Sequence, residues 1–205
     1  MTDRFEGYGI MGQPFRSGHV LALRVFPVSS IGPGYTSVWH RSPAGTWTLF
    51  QDQPAEHGCA RYFGDGAVRT AIQVERTDDQ VRVVVPEVEL TWTSTLRSTA
   101  VTRAMNAVSG VMPDSWWRSP LVLRVMGRVA GPAMGAGRVG LAGVSRNGQR
   151  FVANPLRVAV IDAVTASLGG EDLGPPGPLA EQAVLGDFRI PQRGVFADGR
   201  AFFDE

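Results

Sequence analysis

The sequence predicts a single mainly β domain over residues 1–205: an antiparallel β-barrel of about eight to ten strands with one helical insertion at about residues 99–137. Three observations predict it. The 25 glycines and 14 prolines indicate many turns and therefore many short strands. Several segments between these turns alternate apolar and polar residues, as half-buried strands do. Between Thr99 and Gly137 the apolar spacing changes to that of helices.

The first third of the chain predicts an arm followed by strands. Residues 1–17 combine glycines with aromatic side chains, and we expect an ordered N-terminal arm that lies on the barrel. The stretch 19–28, HVLALRVFPV, is apolar on both faces, which is typical of a barrel strand. Three short strands are expected within 35–63, because Pro43-Ala44-Gly45 and the segment 54–58 interrupt a strand-like stretch.

A hairpin is expected next, with strands at residues 69–76 and 80–85. The apolar residues of its second strand have odd numbers, whereas those from Val88 to Trp92 have even numbers. A bulge, corner or short connection at Pro86 explains this change of face.

The insertion predicts helices with recognisable caps. Thr99 can cap the first helix, and Ser119 followed by Pro120 can begin the last one. Gly110 and Pro113 should end the first helix, and Asp114-Ser115 can cap a short turn after it. The last helix should weaken at Gly131-Pro132.

Strands resume after the insertion. Asn147-Gly148 is the strongest hairpin signal in the chain, between expected strands at residues 138–145 and 149–153. Further strands are expected at 156–161 and 165–168 and, after a proline-rich loop at 174–178, on either side of Pro191. Because nearly all of these connections are short, most strands should pair antiparallel with their sequence neighbours.

Composition excludes several kinds of function. The chain contains no lysine, so all 20 of its basic residues are arginine, which excludes Schiff-base formation on a side chain. A formal net charge of +1 argues against a nucleic-acid partner. Cys59 is the only cysteine, so no internal disulfide forms. The N-terminus lacks the pattern of a signal peptide and no apolar run approaches the roughly 20 residues of a membrane span, so we expect a cytoplasmic protein.

Four strings in the sequence, SGHVLALRVFP, YTSVWHRSPAGTWTLFQDQP, NGQRFVANP and GDFRIPQRGVF, resemble bacterial lipocalin-like (calycin) proteins. The wider group includes the hydroxyneurosporene synthase, or carotenoid hydratase, type of barrel. The likeness lies in strand order over most of the chain. The usual N-terminal Gly-x-Trp signature of lipocalins is missing, and no catalytic motif aligns residue by residue. What the resemblance implies is a lipocalin-like barrel with an apolar ligand cavity.

Five polar residues are candidates for acid–base chemistry: His40, Asp52, Tyr62, Asp187 and Arg189. His40 and Asp52 lie on adjacent expected strands, where they form either an acid–base pair or a hydrogen-bonded structural pair. Asp187 and Arg189 share one face of a short strand and either form a buried ion pair or present the arginine to a ligand carboxylate or carbonyl. We expect no metal, because the histidines and Cys59 lack paired-ligand spacing, and no cofactor, because no feature of the sequence demands one.

A second set of residues is expected to line an apolar cavity. Helices inserted between strands must bury their apolar face, and the nearest unfilled surface is the mouth or flank of the barrel. Alternation does not decide whether Trp39 or His40, or Leu49 or Phe50, points inward. The expected ligand-binding residues are Trp39, Leu49, Phe50, Trp92, Met105, Met126 and Met134.

The insertion is also basic. From Arg97 to Arg138 there are six arginines and one acid, together with Trp116 and Trp117. Either its apolar residues only pack on the barrel while the arginines face water, or the insertion makes peripheral contact with an anionic membrane.

The sequence therefore predicts a protein that binds a hydrophobic small molecule, of polyene, terpenoid or acyl type, in a barrel cavity under a helical lid. The alternative is a cofactor-independent hydratase, isomerase or cyclase that acts on an apolar substrate through the acid–base groups.

Overall fold

The computed structural model describes residues 2–64 and 67–204 and shows a mainly β fold with a helical insertion, as predicted. The strands are β1 (Thr2–Pro14), β2 (Val20–Ser29), β3 (Tyr35–Arg41), β4 (Trp47–Gln51), β5 (Ala67–Arg69), β6 (Gln73–Arg76), β7 (Gln80–Val85), β8 (Leu90–Arg97), β9 (Ala142–Val144), β10 (Arg150–Leu168), β11 (Glu171–Asp172), β12 (Val184–Leu185), β13 (Phe188–Arg189) and β14 (Val195–Asp204). The helices are α1 (Ala60–Phe63), α2 (Ala100–Val111), α3 (Asp114–Trp117) and α4 (Pro120–Ala133), with 3₁₀ turns at Ala55–His57 and Pro86–Val88.

Ten strands form one curled sheet, a half-barrel, in the order β5-β4-β3-β2-β1-β14-β10-β8-β7-β6. Strands β9 and β11 pair with β10 beside this path, and β12 pairs with β13. Neighbours on the path are antiparallel except β4 and β5, which are parallel. Strands β5 and β6 are its two edges, so within the described residues the sheet is open rather than a closed barrel.

The N-terminal segment is not the arm that the sequence predicts. It forms β1 at the centre of the sheet, paired with β2 on one side and β14 on the other. Its glycines are the reason. A Cβ at Gly7 or Gly9 would lie 2.0 Å from a carbonyl oxygen of β2, so only glycine permits this approach of the two strands.

Two other segments differ from expectation. The third strand expected within residues 35–63 is a 3₁₀ turn followed by α1. The Gln51 side chain stabilises this turn because it donates to the carbonyls of Gln53 and Pro54 and accepts from the Ala60 N–H. The separate strands expected from residue 149 to 168 are the single long strand β10, which bends at a bulge after Pro155 instead of ending there.

Alternation along the strands separates two apolar faces. On the concave face, side chains of β2 and β3 meet those of β7 and β8 across the curl. This cluster packs the inside of the half-barrel with the chain's own side chains, among them Leu21, Leu23, Val38, Phe50, Val83 and Trp92. The opposite face, here called the helical face, carries Ala22 and Trp39 on β2 and β3 and Val158 and Val195 on β10 and β14.

The insertion covers the helical face. Thr99 caps α2 through a capping box with Thr102, as expected of that residue. Asn106 fixes α2 on β10, because its side chain donates to the Val158 carbonyl (3.0 Å) and accepts from the Val158 N–H (2.7 Å). Helix α4 continues through Pro132 to Ala133, past the point where the sequence predicts weakening.

Candidate ligand cavity

A cavity of about 460 Å³ lies between the helical face of the sheet and helices α2 and α4. One wall is aromatic, and it is built from β2, β3, α1 and the ends of β10 and β14. The other wall is aliphatic, with methionines, valines and alanines of the insertion. Six of the rings on the aromatic wall are those of Phe26, Tyr35, Trp39, Phe63, Phe151 and Phe203.

Arg24 brings a charge to this apolar cavity. It lies on β2 between Leu23 and Val25, which belong to the concave face, so alternation directs Arg24 to the helical face. Only 5% of the residue is exposed to solvent. The guanidinium carbon lies 4.7 Å from the centroid of the Trp39 ring and 5.2 Å from that of Phe188. Arg24 is therefore a cation buried among aromatic rings at the cavity wall.

Main-chain carbonyls hold the Arg24 side chain in place. Its Nη1 donates to the carbonyls of Ile10 and Leu23, both at 2.8 Å, and its Nη2 donates to that of Met11 at 3.4 Å. Among the described residues, no carboxylate lies within ion-pair distance of Arg24. The guanidinium is thus oriented by the fold but has no anionic partner among the described residues.

Burial lowers the pKa of Arg24 to about 10, and the nearby Cys59 and Tyr35 side chains oppose this shift. The guanidinium therefore stays protonated at neutral pH despite its surroundings. A buried cation without a carboxylate costs folding free energy, on the order of several kcal/mol before hydrogen bonds are counted.

Two further polar groups stand beside Arg24. The Tyr35 hydroxyl and the Cys59 thiol form a hydrogen bond of 3.2 Å, and both residues line the cavity. Burial is the largest cause that raises the pKa of each group. Both are therefore neutral at physiological pH. One of them donates to the other, so one hydrogen of the pair is left to donate to a ligand.

The structure brings some of the predicted site residues together at the cavity. Trp39 lies on its aromatic wall, and Arg189 lines it from β13. Met105 comes from α2, Met126 lies within α4 and Met134 caps the C-terminal end of α4. The strand and insertion that the sequence singled out thus do meet at one site.

Other predicted ligand-binding residues lie elsewhere. Phe50 and Trp92 belong to the packed cluster of the concave face, because the strand alternation places them opposite the helices. Leu49 lines a second, more polar depression between β4 and residues 181–186. The prediction was therefore wrong in two respects. These residues do not share one cavity, and the cavity lies on the helical face rather than inside the half-barrel, which the chain's own side chains pack.

The predicted catalytic residues do not converge. Asp52 accepts a hydrogen bond from the Thr36 N–H at 2.9 Å, which closes the end of the β3–β4 ladder. His40 pairs instead with His19, Nε2 to Nδ1 at 2.9 Å with the rings stacked. Burial, with a smaller contribution from His19, lowers the pKa of His40 to about 4. His40 and Asp52 therefore form neither an acid–base pair nor a hydrogen-bonded structural pair with each other.

Tyr62 and Asp187 have structural partners. The Tyr62 hydroxyl donates to Asp3 at 2.7 Å, and the Tyr62 ring stacks on Phe203 with centroids 3.9 Å apart. Asp187 is exposed and accepts from the Val144 N–H at 2.9 Å. The sequence offered a buried Asp187–Arg189 ion pair as one alternative. That alternative is wrong, because both residues are exposed.

Sequence reasoning missed Arg24, Tyr35 and Cys59. A signal for Arg24 was present, because it is the one charged residue in the apolar strand HVLALRVF, with apolar neighbours two positions away on both sides. Tyr35 and Cys59 gave no such signal, since their proximity depends on the turn that leads into α1.

The described residues contain no group of three His, Cys, Asp or Glu side chains that could hold a metal ion, and no helix long and apolar enough to cross a membrane.

No family model and no curated protein matches the chain. Among solved structures it is similar to the crystal structure of acetoacetate decarboxylase from Legionella pneumophila subsp. pneumophila str. Philadelphia 1. That similarity has a TM-score of 0.45 and 10% sequence identity, over 100% of this chain and 85% of the other.

Proposed function

We propose that this protein binds an apolar small molecule that carries a carboxylate, with the apolar part in the cavity and the carboxylate on Arg24. The observation that carries this proposal is the guanidinium of Arg24, which is buried at the wall of an apolar cavity and has no carboxylate of the described residues within ion-pair distance.

The physical reason is charge compensation. A buried cation is stabilised most by an anion at hydrogen-bond distance, and a carboxylate matches the planar donors of a guanidinium. The neutral, mutually hydrogen-bonded Tyr35 and Cys59 side chains beside it can donate one hydrogen bond to a ligand but supply no negative charge. A carboxylate from a ligand would meet this need, which a neutral apolar molecule would not.

The size and lining of the cavity support the apolar part of the ligand. A volume of about 460 Å³ lies within the usual range of small-molecule sites, roughly 300–1,000 Å³. Aromatic rings present flat apolar surfaces, and Met105, Met126 and Met134 can adapt to an irregular hydrocarbon. Acyl, terpenoid and polyene acids fit this description.

The direct test compares two probes that differ only in the head group. A fatty acid and the alcohol of the same chain length are titrated against the protein by calorimetry. We expect the acid to bind at least about 30-fold more tightly, because a desolvated charge pair contributes about 2 kcal/mol or more. Equal affinities, or no binding of either probe at micromolar concentration, would contradict the proposal.

A variant that fills the cavity provides the control for location. Ala130 lines the cavity from α4 and is half-buried. Ala130→Phe should weaken both probes equally, provided that circular dichroism and the melting temperature show an intact fold. Unchanged affinity in a folded Ala130→Phe protein would place the binding site elsewhere.

A further inference from the structure

The outer surface of the insertion exposes an unusual amount of apolar side chain. Six large residues on α2, α3 and α4 are between 50% and 82% exposed: Val108, Val111, Trp116, Leu121, Val125 and Val129. Single exposed apolar residues are ordinary, but several on adjacent helices form a patch that usually marks an interaction surface.

This patch is continuous with the cavity. Val108 of α2 and both Val125 and Val129 of α4 line the cavity, although each is at least half exposed. A residue that contacts both the cavity and the solvent marks the cavity rim. The cavity therefore opens between α2 and α4, and its rim is apolar.

Unpaired positive charge accompanies the apolar rim. The insertion and the residues that follow it carry five exposed arginines, and among the described residues none of these has a carboxylate within 4.0 Å. Asp114 is the one acid between residues 98 and 138. The five are Arg103, Arg118, Arg124, Arg128 and Arg138.

We propose that this surface docks on an anionic lipid bilayer, so that the cavity opens toward the membrane. An apolar stripe bordered by arginines, with a tryptophan at the end, matches the boundary between lipid headgroups and acyl chains. Trp116, on the short helix between α2 and α4, is 54% exposed and is suited to that boundary.

Charge decides between a bilayer and a second copy of the chain. A symmetric dimer through this face would place the same unpaired arginines of both copies in one interface. An anionic surface instead compensates the charge of each arginine. The bilayer is therefore the partner that complements both the apolar and the charged parts of the surface.

Vesicle sedimentation tests the proposal. The ligand-free protein is mixed with vesicles of phosphatidylcholine alone or of an equimolar mixture with phosphatidylglycerol, at low ionic strength and at about 0.15 M salt. We expect binding to the anionic vesicles, weaker at the higher salt, and little binding to phosphatidylcholine.

Paired variants localise the contact. Arg124→Gln with Arg128→Gln removes two charges from α4, and Arg69→Gln with Arg82→Gln removes two exposed charges from β5 and β7. The α4 variant should bind anionic vesicles about 30-fold more weakly than wild type, since two charges at about 1 kcal/mol each correspond to that ratio. The β5–β7 variant should bind nearly as wild type does.

Three outcomes would overturn the proposal: no binding to anionic vesicles at low salt, equal loss in the two double variants, or a concentration-dependent dimer by light scattering that Val125→Asp dissociates. Both α4 arginines are exposed, so their replacement should leave fatty-acid titration in solution unchanged. A failure of membrane docking is thereby distinguishable from a failure of carboxylate binding.

Discussion

Arg24→Met should abolish the preference for a carboxylate while the protein remains folded. Methionine is unbranched and apolar, so it can occupy much of the space of the arginine stem between the rings of Trp39 and Phe188. The substitution removes the charge and the three hydrogen bonds to main-chain carbonyls.

The effects on stability oppose each other. The lowered pKa of Arg24, about 10, corresponds to a loss of roughly 3 kcal/mol of folding free energy, because the guanidinium stays charged inside the protein. This loss is present in full at neutral pH, where Arg24 is charged in both the folded and the unfolded state. It is relieved only as the pH rises above about 10, where the folded protein loses the proton before the unfolded chain does. Three lost hydrogen bonds, at about 1 kcal/mol each, offset the gain. The free energy of unfolding should therefore stay within about 2 kcal/mol of wild type.

The effect on binding should be larger and selective. Removal of one partner of a buried charge pair costs about 2–5 kcal/mol, so affinity for a fatty acid should fall by about 30-fold or more. Affinity for the alcohol of equal length should change much less, because it never used the charge. Calorimetric titration of both probes against wild type and Arg24→Met gives the coupling free energy between the Arg24 charge and the carboxylate of the probe. Urea unfolding without ligand gives the free energy of unfolding of each protein. Arg189→Met, at an exposed position on the cavity rim, is the matched control.

Two results would refute this reasoning. Equal losses for acid and alcohol would mean that Arg24 shapes the cavity without recognising the head group. Unchanged acid affinity in a folded Arg24→Met protein would mean that the carboxylate binds elsewhere or that the ligand has none.

Three further predictions concern stability. Gly9→Ala would place a Cβ 2.0 Å from a carbonyl oxygen of β2 and should lower the free energy of urea unfolding by about 3 kcal/mol or more. Its control, Gly110→Ala, adds a Cβ in open space on α2 and should raise that free energy by about 0.5–1 kcal/mol. A Gly9→Ala protein of nearly wild-type stability would disprove the close approach of β1 and β2. Because the pKa of His40 is lowered from 6.5 to about 4, the unfolded chain takes up a proton in this range that the folded protein does not, so stability should fall as the pH drops through it. In His40→Gln the free energy of urea unfolding should change by about 1–2 kcal/mol less across this pH range than in wild type, a figure reduced for the partial exposure of His40. An unchanged pH dependence would exclude His40 as its source. Thr99→Ala removes the capping box of α2 and should lower the free energy of thermal unfolding by about 1 kcal/mol. Ser119→Ala should lower it less, because the hydrogen bond that the Ser119 hydroxyl accepts from the Val122 N–H is 3.5 Å long. The reverse order would contradict the capping geometry.

Local signals in the sequence predicted much of the fold because their causes are local. The Asn147-Gly148 turn pairs β9 with β10, and Gly148 has the positive φ (+90°) that such turns need. Thr99 and Ser119 cap α2 and α4 as their side chains allow. Non-local pairing was harder to predict: the glycines that made the first segment resemble an arm are the ones that admit β1 between β2 and β14.

The candidate site was predicted in part for the same reason. Apolar spacing on the insertion marked Met105, Met126 and Met134, which line the cavity. Trp92 was expected beside them because it is large and apolar, but its position on β8 directs it to the concave face. Which face of a curled sheet receives helices depends on how the two ends of the sheet meet, and alternation within one strand carries no information about that.

The two faces of the sheet divide stability from binding. The concave face is packed by apolar residues of β2, β3, β7 and β8, so it contributes to folding without help from the insertion. The helical face places a cation inside a cavity, where burial acts against the charged form. A protein can retain such a cation if the opposite face supplies enough apolar burial, because the net free energy of folding is a small difference between large terms. Arg24 on the helical face of β2, flanked by Leu23 and Val25 on the concave face, shows both roles within three consecutive residues. Substitutions on the concave face should therefore reduce stability first, and substitutions around Arg24 should reduce binding first.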